Sequence, residues 1–233
     1  MDRDKLTSEV LAGLEADCVG IVNCARLRER GNAADIERLL PGTRSIIVIA
    51  QEIPVEATRH ITSRAEVGAI AMRDLYSQTA ELVNGRMDWE AYKLVKKLHR
   101  LGYSGLSIPY GGPYDPRFLR GPLSYKHIAQ AAGIGEIGWN GLLLTPEYGP
   151  RVRLTVVLTD ADLYLESPRP ADLPCMKCRG ACAKICPSKA ISYPVEGQPF
   201  SVDAHKCNSY LSGVQTCAEC IRVCPAGKTR LKA

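Results

Sequence analysis

The chain has 233 residues, 45% of them hydrophobic and 24% charged. That is the balance of an ordinary globular protein with one large domain, or a core domain plus a small appendage, and it excludes a mostly disordered, collagen-like or coiled-coil chain. The formal charge is +5, but residues 175–233 hold nine Lys and Arg against three Asp and Glu, leaving −1 for residues 1–174.

Residues 4–16 read as an amphipathic helix with Leu6, Val10, Leu11 and Leu14 on one stripe, and residues 18–22 as a short strand. Pro41-Gly42 interrupts the chain before residues 45–50, a β-branched run that predicts a buried strand. From 63 to 99 the pattern is mostly helical, read as two helices broken near Asn84-Gly85. Residues 103–108 predict a strand, followed by a Gly- and Pro-rich loop over 109–116 long enough to border a site. A helix over 124–132, an extended stretch over 141–145 and a strand over 152–158 follow. Pro168, Pro170 and Pro174 mark a linker. A sheet covered by helices is the simplest packing of this order.

The first ten residues contain no apolar signal core and no twin arginine, and no apolar run reaches the roughly 18 residues of a membrane span. The expectation is a cytoplasmic protein with no membrane partner. In that reducing setting a dense cysteine cluster holds metal rather than disulfides.

Gly133, Gly135 and Gly138 match the G-x-G-x-x-G string of dinucleotide sites. That fingerprint needs a strand before the glycines and a helix after them, so that the pyrophosphate meets a helix N-terminus. Here the predicted order is reversed. A tight helix-to-strand turn, with glycines for positive φ or close backbone approach, is the plainer reading. A third reading lets a bulky cofactor lie against the bare backbone.

Of ten cysteines, eight fall in two runs. One is Cys175, Cys178, Cys182 and Cys186-Pro187; the other is Cys207, Cys217, Cys220 and Cys224-Pro225. A cubane has four iron corners, so a short loop supplies three thiolates and a distant cysteine the fourth; in two-cluster ferredoxins that fourth ligand is exchanged between runs. The runs therefore predict one [4Fe–4S] cluster on Cys175, Cys178, Cys182 and Cys224, and a second on Cys207, Cys217, Cys220 and Cys186. Two spacings depart from the ferredoxin pattern: three residues separate Cys178 from Cys182, and Cys207 lies well ahead of Cys217. Two Cys₄ zinc sites are the alternative, but zinc requires neither the four-cysteine run nor the repeated Cys-Pro ending. Two cubanes, each about −2 with its thiolates when oxidised, would offset most of the local basic charge, which then needs no nucleic acid to explain it. The nearby basic residues would raise the reduction potentials, with the effect fading for side chains in solvent.

Cys18 and Cys24 flank an apolar segment and are expected to pack as small hydrophobes. His60, His99 and His205 show no ligand spacing. His127, just before the glycine turn, is either a locally hydrogen-bonded helix residue or part of a site.

These pieces together resemble the epoxyqueuosine reductase and reductive dehalogenase superfamily. The resemblance lies in Leu-Pro-Gly-Thr-Arg-Ser-Ile-Ile-Val-Ile at 40–49, Ala-Gly-Ile-Gly-Glu-Ile-Gly-Trp-Asn at 132–140, Tyr148-Gly149, and the tail from Cys175 to Pro225. It implies an α+β protein: a nitroreductase-like α/β sandwich over 1–170 that binds cobalamin, then a small ferredoxin-like two-cluster domain over 171–233. A corrinoid would lie near the turn, touching Gly133, Gly135, Gly138, Asn140 and His127, with Tyr125 as proton donor. Two departures bear on substrate. No carboxylate occurs in residues 118–127, where tRNA-modifying members have an acidic donor, and the helical-repeat extension those members use for tRNA is missing.

Two functions follow. In the first, two clusters pass electrons to a corrinoid that reduces a small-molecule or modified-base substrate. In the second, the chain is an electron-transfer or activating protein for a corrinoid or other redox partner, with no substrate of its own. A zinc-stabilised interaction module is a distant third. The expected partners are a low-potential donor such as ferredoxin or flavodoxin, a small-molecule substrate or corrinoid partner, and a second copy of the chain as a homodimer. Nucleic acid is not expected.

Overall fold

The computed structural model describes residues 2–28, 33–59, 61, 68–112, 114–166, 174–195, 199–214 and 216–227. Two compact units emerge from the packing. The first comprises residues 1–51, 84–134 and 153–170, and the second residues 52–83, 135–152 and 171–233. A single cut at residue 170 does not reproduce this division, because two earlier segments group with the cysteine-bearing one.

The elements in chain order begin with α1 (Arg3–Leu11), β1 (Cys18–Asn23), α2 (Cys24–Arg28), α3 (Ala33–Leu39), β2 (Ser45–Glu52) and α4 (Val55–Arg59). Then come α5 (Ala69–Arg100), β3 (Gly105–Ile108), α6 (Tyr125–Ala131), β4 (Glu136–Ile137), β5 (Leu143–Leu144) and β6 (Val152–Thr159). The cysteine segment holds α7 (Cys175–Cys178), α8 (Ala181–Ile185), β7 (Ile191–Ser192), β8 (Ser201–Val202), α9 (Ala204–Val214) and α10 (Glu219–Arg222).

In the first unit the sheet runs β1-β2-β6-β3, with β1 antiparallel to β2 and β3 antiparallel to β6. The β-branched run of β2 is buried from Ser45 to Ala50, as a central strand covered on both faces requires. On one face Ile21, Ile47, Ile49 and Val157 pack against Leu6 and Val10 of α1 and Met87, Ala91, Leu94 and Leu98 of α5. Each fully buried aliphatic side chain contributes roughly 1.5–3 kcal/mol. On the other face α6 packs on β1, where Gly20 gives way to Ala132 and Ile134: a Cβ there would lie 2.8 Å from the Ala132 Cβ and 2.7 Å from Ile134 Cγ2.

The expected elements mostly form, with two differences. Helix α1 stops at Leu11, ahead of Gly13 at φ +73, and Leu14 joins the core as part of a loop. The helix break at Asn84-Gly85 is absent: α5 runs unbroken for 32 residues. Burial of Asn84 and Met87 and open space beside Gly85 show packing overriding a local turn signal. Residues 167–173, with Pro168 and Pro170, and His60 lie outside the described residues.

In the second unit, α4 with its flanking residues Ile53 and Ile61 contributes those two and Ala57, and the N-terminal half of α5 contributes Tyr76 and Ala80, to a core closed by Ala218 and Ile221. A smaller cluster joins Leu144 and Trp139 to Cys175, Cys224 and Ala226. No described helix is long and apolar enough to cross a membrane.

Candidate functional site

Cys175 and Cys178 share one face of the single-turn α7, capped by Pro174. Arg179 and Gly180 then both adopt left-handed backbone, at φ +51 and +66, and reverse the chain into α8, which carries Cys182. The additional residue between Cys178 and Cys182 is taken up by this reversal. Gly180 is needed there, because a Cβ would overlap the Tyr193 ring and lie 3.2 Å from Trp139. Cys175, Cys178, Cys182 and Cys224 line one small cavity with Trp139, Asn140 and Leu144, so the last cysteine of the second run meets the first three of the first run.

The other four cysteines form a second neighbourhood. Helix α9 carries Cys207 and fills most of the separation from Cys217, while Cys220 lies on α10. Cys207 feels the charges of Cys217 and Cys186, and Cys220 those of Cys217, Cys207, Cys182 and Cys186. Helices α8 and α10 pack together, which sets the two groups side by side. Among the described residues no three His, Cys, Asp or Glu converge as ligands of a single metal ion.

Burial, followed by the neighbouring thiols, pushes Cys220 up to about 12. Burial against an opposing Ala226 hydrogen bond leaves Cys224 at about 11, and burial also raises Cys175, Cys182, Cys207 and Cys217. Cys186 goes the other way. Burial raises its thiol, but hydrogen bonds from the Ser188 side chain and from Ala190, Ile191 and Ser188 backbone outweigh it and hold the thiol low. The Ala190 N–H lies 3.3 Å from its Sγ and the Ser188 hydroxyl 3.4 Å.

The glycine turn has a helix before it, α6, and the β4–β5 hairpin after it, the reverse of a dinucleotide fingerprint. Gly133 takes φ +79. A Cβ on Gly135 would lie 2.5 Å from the Leu144 carbonyl oxygen, and one on Gly138 2.6 Å from Leu144 Cδ1. These two glycines admit the chain's own hairpin. Asn140 is buried and accepts the Leu142 N–H at 3.2 Å. His127 Nδ1 is 2.7 Å from the Ser124 hydroxyl, and burial, with Lys126 beside it, lowers its pKa. It is the locally hydrogen-bonded helix residue.

Tyr125 donates to the Pro109 carbonyl at 2.9 Å. Burial first, and then the Asp88 carboxylate, push its phenol up to about 12. Asp88 also accepts the Tyr110 N–H at 2.9 Å. The first unit opens a cleft of about 1340 Å³ lined by Asp35, Arg38, Tyr114, Arg117, Phe118 and Lys126, among others, and Tyr125 is not in its lining. The loop over 109–116 does border a cleft, as its length and composition predict. Cys18, the first residue of β1, is half-buried, and Cys24, the first of α2, is buried.

Three features escape a reading of the sequence. Arg151 is buried; its guanidinium donates to the Gly227 carbonyl at 3.2 Å and pairs with Glu52 at 3.5 Å. Gly149 and Gly227 lie backbone to backbone. Arg73 and Glu219 are buried charged side chains near the second cysteine group. Each depends on segments far apart in sequence, and the one local signal was Tyr148-Gly149, quoted above for its resemblance alone.

No protein-family profile matches the chain. The tetrachloroethene reductive dehalogenase of Dehalobacter restrictus is 31% identical over 212 residues, covering 79% of this chain and 33% of the dehalogenase. The epoxyqueuosine reductase of Gloeobacter violaceus is 32% identical over 176 residues, covering 76% of this chain and 48% of the reductase. The chain thus spans between a third and a half of these relatives. Among solved structures, a reductive dehalogenase described in connection with B12-dependent dehalogenation superposes with a TM-score of 0.70 at 21% identity, over 98% of this chain and 33% of that one. An epoxyqueuosine reductase crystallised with an epoxyqueuosine-modified tRNA stem loop gives 0.58 at 21%, over 97% of this chain and 66% of that one. In sequence the chain is a homologue of reductive dehalogenases and epoxyqueuosine reductases, and its fold is theirs.

Proposed function

We propose that the chain is an iron–sulfur redox protein, with one [4Fe–4S] cluster on Cys175, Cys178, Cys182 and Cys224 and a second on Cys186, Cys207, Cys217 and Cys220. The observation that carries this reading is the cavity walled by Cys224 together with the first three cysteines of the other run. Four thiols around a space, rather than converging on a point, suit a cubane whose irons occupy separate corners better than a zinc ion. Bound clusters would supply one-electron storage at low potential. The chain's own contribution is to hold the thiolates on short helices and keep Trp139 and Leu144 against the first set. In this reading the cysteine region is the ferredoxin-like part and the helix-covered sheet the nitroreductase-like part.

The relatives make reduction of a substrate through a corrinoid the activity we favour, with the cleft of about 1340 Å³ as the space for substrate and Tyr125, between the lining residues Ser124 and Lys126, as proton donor. Gly135 and Gly138 give their Cβ side to Leu144, Asn140 accepts the Leu142 N–H and His127 lies beside the Ser124 hydroxyl, so contact of these residues and Gly133 with a corrinoid would run through their remaining atoms. The second reading, electron transfer to a partner that carries the corrinoid, needs no such contact. The neighbour crystallised with a tRNA stem loop brings nucleic acid back as a partner class that the charge distribution had set aside.

Anaerobic purification with iron and sulfide analysis, followed by titration with cobalamin under visible and EPR spectroscopy, tests these readings. Eight irons per chain with a base-off corrinoid signal support the reductase. Eight irons and no response to cobalamin leave the electron-transfer protein. Stoichiometric zinc in place of iron and sulfide removes both.

A further inference from the structure

We propose that Arg151 is a positioning residue for the first cysteine set, holding the backbone beyond Cys224 so that this thiol reaches Cys175, Cys178 and Cys182. This rests on the reading that each set carries a cluster. Three thiols of the set ride on short helices, Cys175 and Cys178 on α7 and Cys182 on α8. Cys224 lies past α10, which ends at Arg222, so its place depends on what holds the residues that follow. The Ala226 backbone hydrogen-bonds to the Cys224 thiol. The next carbonyl, that of Gly227, accepts Arg151 Nη2 at 3.2 Å. The stretch leading into Arg151 supplies Tyr148 and Gly149, which lie backbone to backbone against Ala226 and Gly227.

Arg151 is itself firmly rooted. Its N–H donates to the Tyr148 carbonyl at 3.2 Å and its carbonyl accepts the Ile53 N–H at 2.8 Å, beside Glu52 at the end of β2. The side chain is 4% exposed, and Nε and Nη1 are buried without a hydrogen-bond partner among the described residues. Burying those two nitrogens costs desolvation that only the Nη2 contacts offset, to Gly227 and, at 3.5 Å, to Glu52. The two glycines set how closely the strands of backbone approach, and the guanidinium sets where the Gly227 carbonyl points. All of these residues belong to the second unit. The other cysteine set has no ligand in this stretch: Cys186 caps α8, Cys207 rides on α9 and Cys220 on α10. The effect of Arg151 is therefore confined to the set that Cys224 completes.

The test is a chelator challenge of the full chain, loaded anaerobically with iron and sulfide. EPR follows the loss of each centre, and the spectra of Cys175→Ser and Cys207→Ser identify which centre is which. A hydrogen bond from a charged donor is worth about a factor of ten or more, so Arg151→Met should release the first centre about tenfold faster and leave the second at its wild-type rate. Arg151→Lys keeps the charge and a donor and should restore most of the difference. Glu52→Gln loosens the guanidinium while leaving it in place; it should speed loss from the first centre alone, which keeps the idea testable if Arg151→Met fails to fold. Equal acceleration at both centres, as general destabilisation would give, or unchanged rates at the first, would overturn the proposal. A wild-type chain that never loads clusters overturns instead the reading on which it stands.

Discussion

Gly227 lies against Gly149 so closely that neither can carry a side chain: a Cβ on Gly227 would overlap the Gly149 nitrogen and Tyr148, and one on Gly149 would overlap the Ala226 carbonyl. Both also adopt left-handed backbone, at φ +71 and +57. The contact, with the Arg151 bond to the Gly227 carbonyl, anchors the segment that leaves Cys224. Gly227→Ala should cost at least about 1–3 kcal/mol in backbone strain and displace Cys224. Thermal unfolding should report a lower midpoint, and iron per chain should fall toward half. A variant with wild-type melting and iron content would show that the segment finds its place another way.

Cys224→Ser should damage the centre that Cys175, Cys178 and Cys182 share, despite its place in the second run. Single-cluster EPR spectra of Cys224→Ser and Cys175→Ser should then match each other and differ from that of Cys207→Ser. Matching spectra for Cys224→Ser and Cys207→Ser would replace the crossed arrangement by two contiguous ones.

Tyr125 gives a pH signature. Its folded pKa of about 12 stands above the ordinary 10, so folding favours the protonated phenol. The associated stability is complete below about pH 10 and disappears as pH rises through 12. An ultraviolet titration of the ten tyrosines should show one late component in the wild-type chain that Tyr125→Phe lacks. Identical alkaline curves for the two chains would argue against the buried, Asp88-facing setting.

Gly20→Ala tests the first unit alone. The new methyl would meet Ala132 and Ile134 at less than van der Waals distance, and overpacking of this kind costs about 1–3 kcal/mol. Urea unfolding should show a lower midpoint, with iron content and cluster spectra unchanged.

Much of this was legible in the chain itself. Short β-branched runs such as 45–50 became strands because nothing else satisfies a buried apolar backbone of that length. The two Cys-Pro endings point to an exchange of ligands, and Cys224 lines a cavity with Cys175, Cys178 and Cys182. Local signals failed where distant packing decided the outcome. Asn84-Gly85 reads as a break, yet Met87 and Ala91 hold that stretch of α5 in the core. The glycines at 135 and 138 resemble a ligand loop, but Leu144 claims their space.

The interleaving of the two units has a consequence for biosynthesis. Residues 52–83 and 135–152 leave the ribosome well before residues 171–233, yet Ile53, Ala57 and Tyr76 find their partners in Ala218 and Ile221, and Leu144 finds Cys175 and Cys224. Their apolar faces stay uncovered until the last quarter of the chain is made. If the thiols take iron as proposed, its delivery is a late event, coupled to closure of a core rather than added to a finished one, and cells short of iron or sulfide should then accumulate a chain with that apolar surface still exposed to chaperones and proteases.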